Sequence, residues 1–271
     1  MSNQYLKTAI EAAKAAEEVI RRYYRRNVDV QLKQDKSPVT IADIESEKAI
    51  KAVIRAAFPD HGFYGEETGR ENIGAEYVWL IDPIDGTKSF IRNNPVFSTQ
   101  IALMCGDEII VGVSNAPMFN ELACAVAGQG AFLNGEPIRV SAVTTLADAT
   151  LSVGNIGALA RSESWRALGE LILRLNRFRG YGDFFHYHLL AGGKLDIVIE
   201  SDIGILDFAA LSLIIREAGG VFTDLSGNKV ALDTRTVLAA ATPELHQQVL
   251  SGLQYTGLKN SLTTENTENT E

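Results

Sequence analysis

Along the first twenty-four residues apolar side chains recur at helical spacing. Leu6, Ile10, Ala13, Ile20 and Tyr24 fall on one face, while Glu17, Glu18, Arg21 and Arg22 occupy the others. This pattern predicts an opening amphipathic helix. A second helical pattern begins near Ile41 and runs through Ile44, Ala49, Val53 and Ile54. It stops at Pro59, whose ring disfavours helical backbone in the residue before it. The polar segment Lys33 to Thr40 joins the two. The pattern then shortens: Val78-Trp79-Leu80-Ile81 is an apolar run halted by Asp82-Pro83 and Asp85-Gly86, which reads as a strand delivering its end into a loop. Phe97 to Met104, Ile109 to Val113 and Glu121 to Val126 read as further strands, divided by Gly106-Asp107 and Pro117. Gly128-Gln129-Gly130 reads as a hairpin turn.

After Val140 a Ser/Thr/Ala-rich stretch from Ser141 to Thr150 separates this half from a second. There, helical segments at Trp165 to Arg177, Phe184 to Leu190 and Phe208 to Ala218 alternate with a strand at Ile197 to Glu200. Gly219 ends the last helix, as glycine suits the left-handed C-terminal position. The pattern implies an α+β protein with one half over residues 1–140 and another over 141–257. Residues 258–271 repeat Thr-Glu-Asn and are expected to be a disordered tail, because they carry too little apolar area to offset the entropy of ordering.

Composition narrows the function classes. With 46% hydrophobic and 22% charged residues in 271, the chain has the make-up of a globular protein. The formal net charge of -9 leaves no basic field for nucleic acid or an anionic membrane. No apolar run approaches the ~18 residues that span a bilayer, and the N-terminus lacks the apolar stretch of a signal peptide. Cys105 and Cys124 stand apart from any CxxC pair and are expected to pack within strands; a reducing, cytoplasmic setting is the expectation. His186 and His188, at i and i+2, do not share a helix face and are expected to serve packing or substrate contact; His61 and His246 are expected at the surface.

The candidate chemistry lies in carboxylates. Asp82-Pro83-Ile84-Asp85-Gly86-Thr87 sets two of them at a strand end, and hard divalent cations take oxygen ligands of this kind. Gly86 and Thr87 would open a helix through Ile91, whose first backbone N–H groups can receive a phosphate. Three further acidic segments accompany this one: Gly65-Glu66-Glu67-Thr68, Asp43 with Glu47 one turn beyond it, and Asp207 ahead of the Phe208 helix. Taken singly, Asp43 and Asp207 read as helix N-caps, the glutamates as solvated loop residues, and Asp-Pro and Asp-Gly as turn formers. Their co-occurrence points to a metal-assisted site. A Walker loop, a GxSxG elbow and an HExxH motif are all absent from the sequence.

Three segments carry a more specific likeness: Gly65-Glu66-Glu67-Thr68, the run from Trp79 through Asp82-Pro-Ile-Asp85-Gly-Thr-Lys-Ser-Phe90, and Leu206-Asp-Phe-Ala-Ala210 followed by Glu217-Ala-Gly-Gly220. In order and spacing they resemble the signatures of the inositol monophosphatase family over roughly residues 5 to 250. The resemblance implies a layered αβαβα sandwich of the inositol monophosphatase / fructose-1,6-bisphosphatase type, a Mg²⁺-dependent phosphate monoester hydrolase acting on a small phosphorylated metabolite, and a homodimer. It implies metal ligands at Glu66, Asp82, Asp85 and Asp207 with the Ile84 carbonyl, for about two or three Mg²⁺ ions. It also implies a Thr87–Asp43 dyad that, with Glu66, is catalytic. Gly86 and Thr87 would hold the phosphate, with Glu66, Asp85 and Asp207 beside it and Glu67 behind. Lys33 is either a nearby cation or a solvated loop lysine.

Two departures bear on the substrate. Gly180-Tyr181-Gly182-Asp183 stands where polyol-specific members carry a small-residue segment, and Leu206 stands where they usually carry Trp. The Tyr-Gly-Asp segment resembles the histidinol-phosphatase branch. Histidinol phosphate bears an ammonium and an imidazole, which would favour Asp183 beside Glu200 as substrate residues; alternatively Asp183 caps the helix at Phe184. The runners-up are an inositol-1-monophosphatase or broad-specificity sugar phosphatase and, from another class, a non-catalytic binding protein on the same fold.

Overall fold

The computed structural model describes residues 2–26, 30–32 and 38–255. Lys33 and the C-terminal tail lie outside the described residues. The chain opens with helices α1 (Ser2–Tyr23) and α2 (Ile41–Ala57), joined through the short strands β1 (Val30–Leu32) and β2 (Pro38–Thr40). Strands β3 (Gly62–Gly65), β4 (Gly69–Glu71) and β5 (Tyr77–Asp85) follow, then the short helix α3 (Thr87–Ile91). Next come β6 (Ser98–Cys105), β7 (Glu108–Ala116), β8 (Glu121–Val126), β9 (Ala131–Leu133) and β10 (Glu136–Ile138). These last eight strands form one sheet in the order β10-β9-β8-β7-β6-β5-β3-β4, antiparallel except where β3 runs parallel to β5.

A second sheet begins at β11 (Thr150–Val153), followed by helices α4 (Gly157–Ala160) and α5 (Ser164–Ile172) and strand β12 (Arg177–Arg179). Helix α6 (Asp183–Ala191), strand β13 (Ile197–Ser201) and helix α7 (Ile205–Glu217) lead to β14 (Val221–Thr223), β15 (Thr236–Ala240) and helix α8 (Pro243–Leu253). Its five strands are ordered β12-β11-β13-β15-β14.

Three apolar clusters hold five layers together. Ala9, Ala13 and Ile20 of α1 and Ile50 and Ile54 of α2 pack on Trp79, Ile81, Ile101 and Val113, covering one face of the large sheet. Its other face presents Leu80, Ala102 and Ala123 to Phe208, Ala210 and Ile214 of α7, which with α6 also meets Val198 and Ala239 of the second sheet. The outer face of that sheet is covered by α4, α5 and α8 through Leu159, Leu168, Leu245 and Val249. The order is therefore α, β, α, β, α, the sandwich expected from the sequence. At Gly112 α7 runs close against the large sheet: a Cβ there would lie 2.6 Å from the Ala210 carbonyl oxygen.

Two boundaries differ from the sequence reading. Apolar spacing carries the Trp165 helix to Arg177, yet α5 stops at Ile172, and Arg177–Arg179 instead pairs in parallel with Thr150–Ser152 of β11. Demand for an edge strand overrides local periodicity here. The strand expected to end at Ile81 continues through Asp85, with a register shift between Asp82 and Asp85. Pro83 has no N–H to give to the ladder and stands at that irregularity, where none is required.

Candidate active site

The break in β5 creates the site. Asp82 is buried and its Oδ1 accepts the N–H of Ile84 at 2.9 Å, turning the backbone at Pro83. Thr99 Oγ1 donates to the Pro83 carbonyl at 2.9 Å and Ser98 faces Asp85 across the ladder, so β6 fixes the strand end. Gly86 then takes φ +92°, and a Cβ on it would fall 2.9 Å from the Val96 carbonyl oxygen. Only glycine fits both that backbone and that contact. The chain reverses there into α3.

Ligand atoms of Asp82, Asp85 and Asp207 lie within 4.8 Å of one another. Asp207 reaches them from the first turn of α7, where its Oδ2 accepts the Gly204 N–H at 2.9 Å. Glu66 arrives from the loop after β3, its N–H bound to the Ile81 carbonyl at 3.1 Å, and its side chain acts on Asp82 by hydrogen bond and by charge. Burial first, then the Glu66, Asp85 and Asp207 charges, push the Asp82 carboxyl well above the usual range. Burial first, then Asp183, Asp207 and Glu200, do the same to Asp85; burial chiefly raises Asp207 to about 6. An all-oxygen, half-buried cluster of this kind suits a hard divalent cation, which removes the repulsion that otherwise keeps protons on it.

Asp43, on α2, meets the end of the same loop through Thr87. Thr40, not Asp43, is the N-cap of α2: its hydroxyl accepts the Ala42 N–H at 3.2 Å, while Asp43 Oδ2 accepts the Thr40 N–H at 2.7 Å. Asp207 stands at the same third position of α7, with Gly204 as N-cap. Both aspartates thus accept the amide of the N-cap residue and are not caps themselves; in α2 the Thr40 hydroxyl completes a capping box, whereas Gly204 has no side chain to do so. The other oxygen of Asp43, Oδ1, lies 3.2 Å from Thr87 Oγ1, which is also 3.0 Å from the Ile84 carbonyl oxygen. Burial pushes the Asp43 carboxyl up, against the pull of its Thr40 and Thr87 hydrogen bonds.

Asp183 opens α6 with φ +48°. Gly182 holds the N-cap position and the Asp183 side chain accepts from Ser89 of α3, so Asp183 faces the Asp82–Thr87 segment and does not cap its own helix. Burial, then Glu200, raises its carboxyl. Glu200 is itself buried at the end of β13: its Oε2 accepts the Tyr187 hydroxyl at 2.5 Å, and its Oε1 accepts the Asn155 N–H at 3.2 Å. Gly154 makes room for it, since a Cβ there would fall 1.7 Å from Glu200 Oε1. Leu206, the other substrate-side departure, is buried in the central core.

Both histidines of α6 are buried and meet polar side chains of neighbouring elements. His186 Nδ1 lies 3.3 Å from Ser152 Oγ, and its Nε2, 3.2 Å from Glu200 Oε2, makes no hydrogen bond. His188 joins Glu121 at 3.0 Å to Ser114 at 2.9 Å. The expected surface positions of His61 and His246 are corrected. His61 stacks between Phe58 and Tyr77, with ring centroids 4.7 and 5.0 Å away, and accepts the Trp79 indole N–H; His246 is buried against Thr223. Cys124 is buried in β8 and Cys105 partly so in β6. No helix among the described residues is long and apolar enough to cross a membrane.

Lys51, Tyr187 and Ser152 contact residues of the site without having been assigned roles from the sequence, and Glu47 was read only as one of the converging acidic residues. Asp43, Glu47 and Lys51 at successive i+4 positions carry a readable signal: one charged stripe on a helix whose other face is apolar.

A sequence model of the inositol monophosphatase family matches residues 1–256. The chloroplastic bifunctional phosphatase IMPL2 of Arabidopsis thaliana is 38% identical over 254 residues, covering 90% of this chain and 73% of that protein. The histidinol-phosphatase of Chlorobaculum parvum is 35% identical over 236 residues, covering 87% and 91%. Among solved structures, the extragenic suppressor protein suhB from Bartonella henselae superposes with a TM-score of 0.85 at 28% identity, covering 93% of this chain and 99% of that one.

Proposed function

The chain belongs to the inositol monophosphatase family, whose members are metal-dependent phosphatases, and from that premise we propose that it is a cytoplasmic, Mg²⁺-dependent histidinol-phosphatase. It would convert L-histidinol phosphate and water to L-histidinol and phosphate, in histidine biosynthesis.

Glu66, Asp82, Asp85, Asp207 and the Ile84 carbonyl would hold the cation. Bound there, Mg²⁺ neutralises phosphate oxygens and raises the acidity of water, which is what an anionic ester otherwise resistant to hydrolysis requires. The Ile84 carbonyl keeps one lone pair for this while the other faces Thr87 Oγ1. Thr87 Oγ1 orients the attacking water and passes its proton toward Asp43 Oδ1. Burial, which raises the Asp43 carboxyl, makes it a stronger proton acceptor than an exposed aspartate. As the water oxygen bonds to phosphorus, the bond from phosphorus to the ester oxygen breaks, and that oxygen leaves with the alcohol, taking its proton from solvent water. The first N–H groups of α3 at Gly86 and Thr87 receive phosphate oxygens.

The observation that carries the substrate is Asp183. A carboxylate aimed at the metal loop, with Glu200 close behind it, adds negative charge on the alcohol side, where a cationic substrate gains and a neutral polyol does not. The histidinol-phosphatase from Chlorobaculum parvum supports the same choice. Phosphate release from L-histidinol phosphate, inositol 1-phosphate, fructose 1,6-bisphosphate and adenosine 3′,5′-bisphosphate, each with Mg²⁺, tests it. Preference for the first supports the proposal, and preference for inositol 1-phosphate replaces it with the polyol reading.

A further inference from the structure

We propose that Glu47 is the positioning residue for Glu66: its carboxylate fixes the Gly65–Thr68 loop and thereby sets where Glu66 stands at the carboxylate cluster. The inference rests on the reading of Glu66 as a metal ligand. Glu47 is fully buried in α2. Its Oε2 accepts the N–H of Glu67 at 2.7 Å, and its Oε1 accepts the N–H of Thr68 at 3.3 Å together with the Thr68 hydroxyl. The Glu66 N–H points the other way, to Ile81 of β5. Glu66 is therefore held from both sides, by the sheet through its own amide and by α2 through the next two.

A buried carboxylate is costly unless it is paired and hydrogen-bonded. Lys51, one turn along the same helix and also buried, lies 3.1 Å from Glu47 Oε1 and donates to Thr68 Oγ1 and to Glu71, the latter at 2.7 Å. The Thr68 hydroxyl thus accepts from Lys51 and donates to Glu47. Gly65 belongs to the same device, because a Cβ at that position would fall 2.1 Å from Glu47 Oε1. Two turns of α2 then serve two walls of the site: Asp43 faces Thr87 and Glu47 holds the segment that carries Glu66. A rigid helix fixes the distance between the residue that accepts a proton and the residue that faces the metal.

The test is Mn²⁺ binding by metal-free protein, read from the free-ion electron paramagnetic resonance signal, with folding followed by circular dichroism. Glu47→Gln should melt cooperatively yet bind Mn²⁺ about tenfold or more weakly, as residues that orient metal ligands do. Glu66→Gln combined with Glu47→Gln should bind no more weakly than Glu66→Gln alone, since Glu47 acts through Glu66. Thr68→Val, which removes a single hydroxyl, should show a smaller loss in the same direction and carries the test if Glu47→Gln does not fold. Unchanged Mn²⁺ affinity in a folded variant, or losses that add in the double variant, overturns the proposal. A wild-type protein that binds Mn²⁺ but hydrolyses no monoester would overturn the functional reading and leave this cycle intact.

Discussion

Thr87 Oγ1 stands 3.2 Å from Asp43 Oδ1, joining the helix that follows β5 to the helix that covers the sheet. The same hydroxyl lies 3.0 Å from the Ile84 carbonyl oxygen, and one proton serves one acceptor fully at a time. On the proposed mechanism it is the Asp43 arm of this contact that would receive the proton.

Removing either end of this pair should slow the chemical step and leave metal binding in place. Thr87→Ala and Asp43→Asn are expected to lower kcat by about 10²- to 10⁴-fold, the usual contribution of a positioned general base. Thr87→Ser should retain most activity. Steady-state kinetics with a Mg²⁺ titration checks this. A rise in the Mg²⁺ requirement with kcat unchanged would reassign the pair to metal binding.

The metal-free protein should lose stability as pH rises through the range where the cluster ionises. Asp207 sits at about 6 against an unfolded value of 3.8, and Asp82 and Asp85 are displaced in the same direction. The native state therefore binds more protons than the unfolded state between about pH 4 and 6, so unfolding becomes easier as pH increases. For Asp207 alone the effect is about 3 kcal/mol. A cation that binds only the ionised native cluster offsets it by mass action. The difference in Tm between Mg²⁺ and EDTA should grow from pH 4.5 to pH 7, and shrink in Asp207→Asn. A difference independent of pH contradicts the cluster as the binding site.

Asp183 should discriminate between substrates. Its loss in Asp183→Ala removes a charge-assisted contact worth about 1.5–3 kcal/mol, so kcat/KM for histidinol phosphate should fall about ten- to a hundredfold. Turnover of inositol 1-phosphate should change little. Equal losses on both substrates would make Asp183 an anchor for Ser89 and α3 instead of a substrate residue.

Local sequence made the centre of the site readable. Val78 to Ile81 must be buried, the Asp82-Pro83 break must interrupt a ladder, and Gly86 must permit the reversal, all within nine residues. What stayed hidden depends on distant partners. His188 meets Glu121 and Ser114, 67 and 74 positions away, and nothing near it in the chain announces either. His61, between Asp60 and Gly62, looks solvent-facing until Phe58 and Tyr77 close around it. Leu173 and Leu175 prolong a helical spacing, yet Arg177–Arg179 is drawn into the second sheet by β11. Glu47 was visible as a charge one turn from Asp43, but its hold on the Glu67 and Thr68 amides requires the loop after β3 to fold back onto α2.

The most direct measurement is inorganic phosphate released from L-histidinol phosphate by the purified wild-type protein and by Asp82→Asn, each with Mg²⁺ and with EDTA. The wild type should release phosphate only with Mg²⁺, and Asp82→Asn should release almost none in either condition, because a neutral amide does not replace a buried metal-binding carboxylate. Near-normal turnover by folded Asp82→Asn, or turnover by the wild type in EDTA, would contradict a cation-dependent hydrolysis at this cluster.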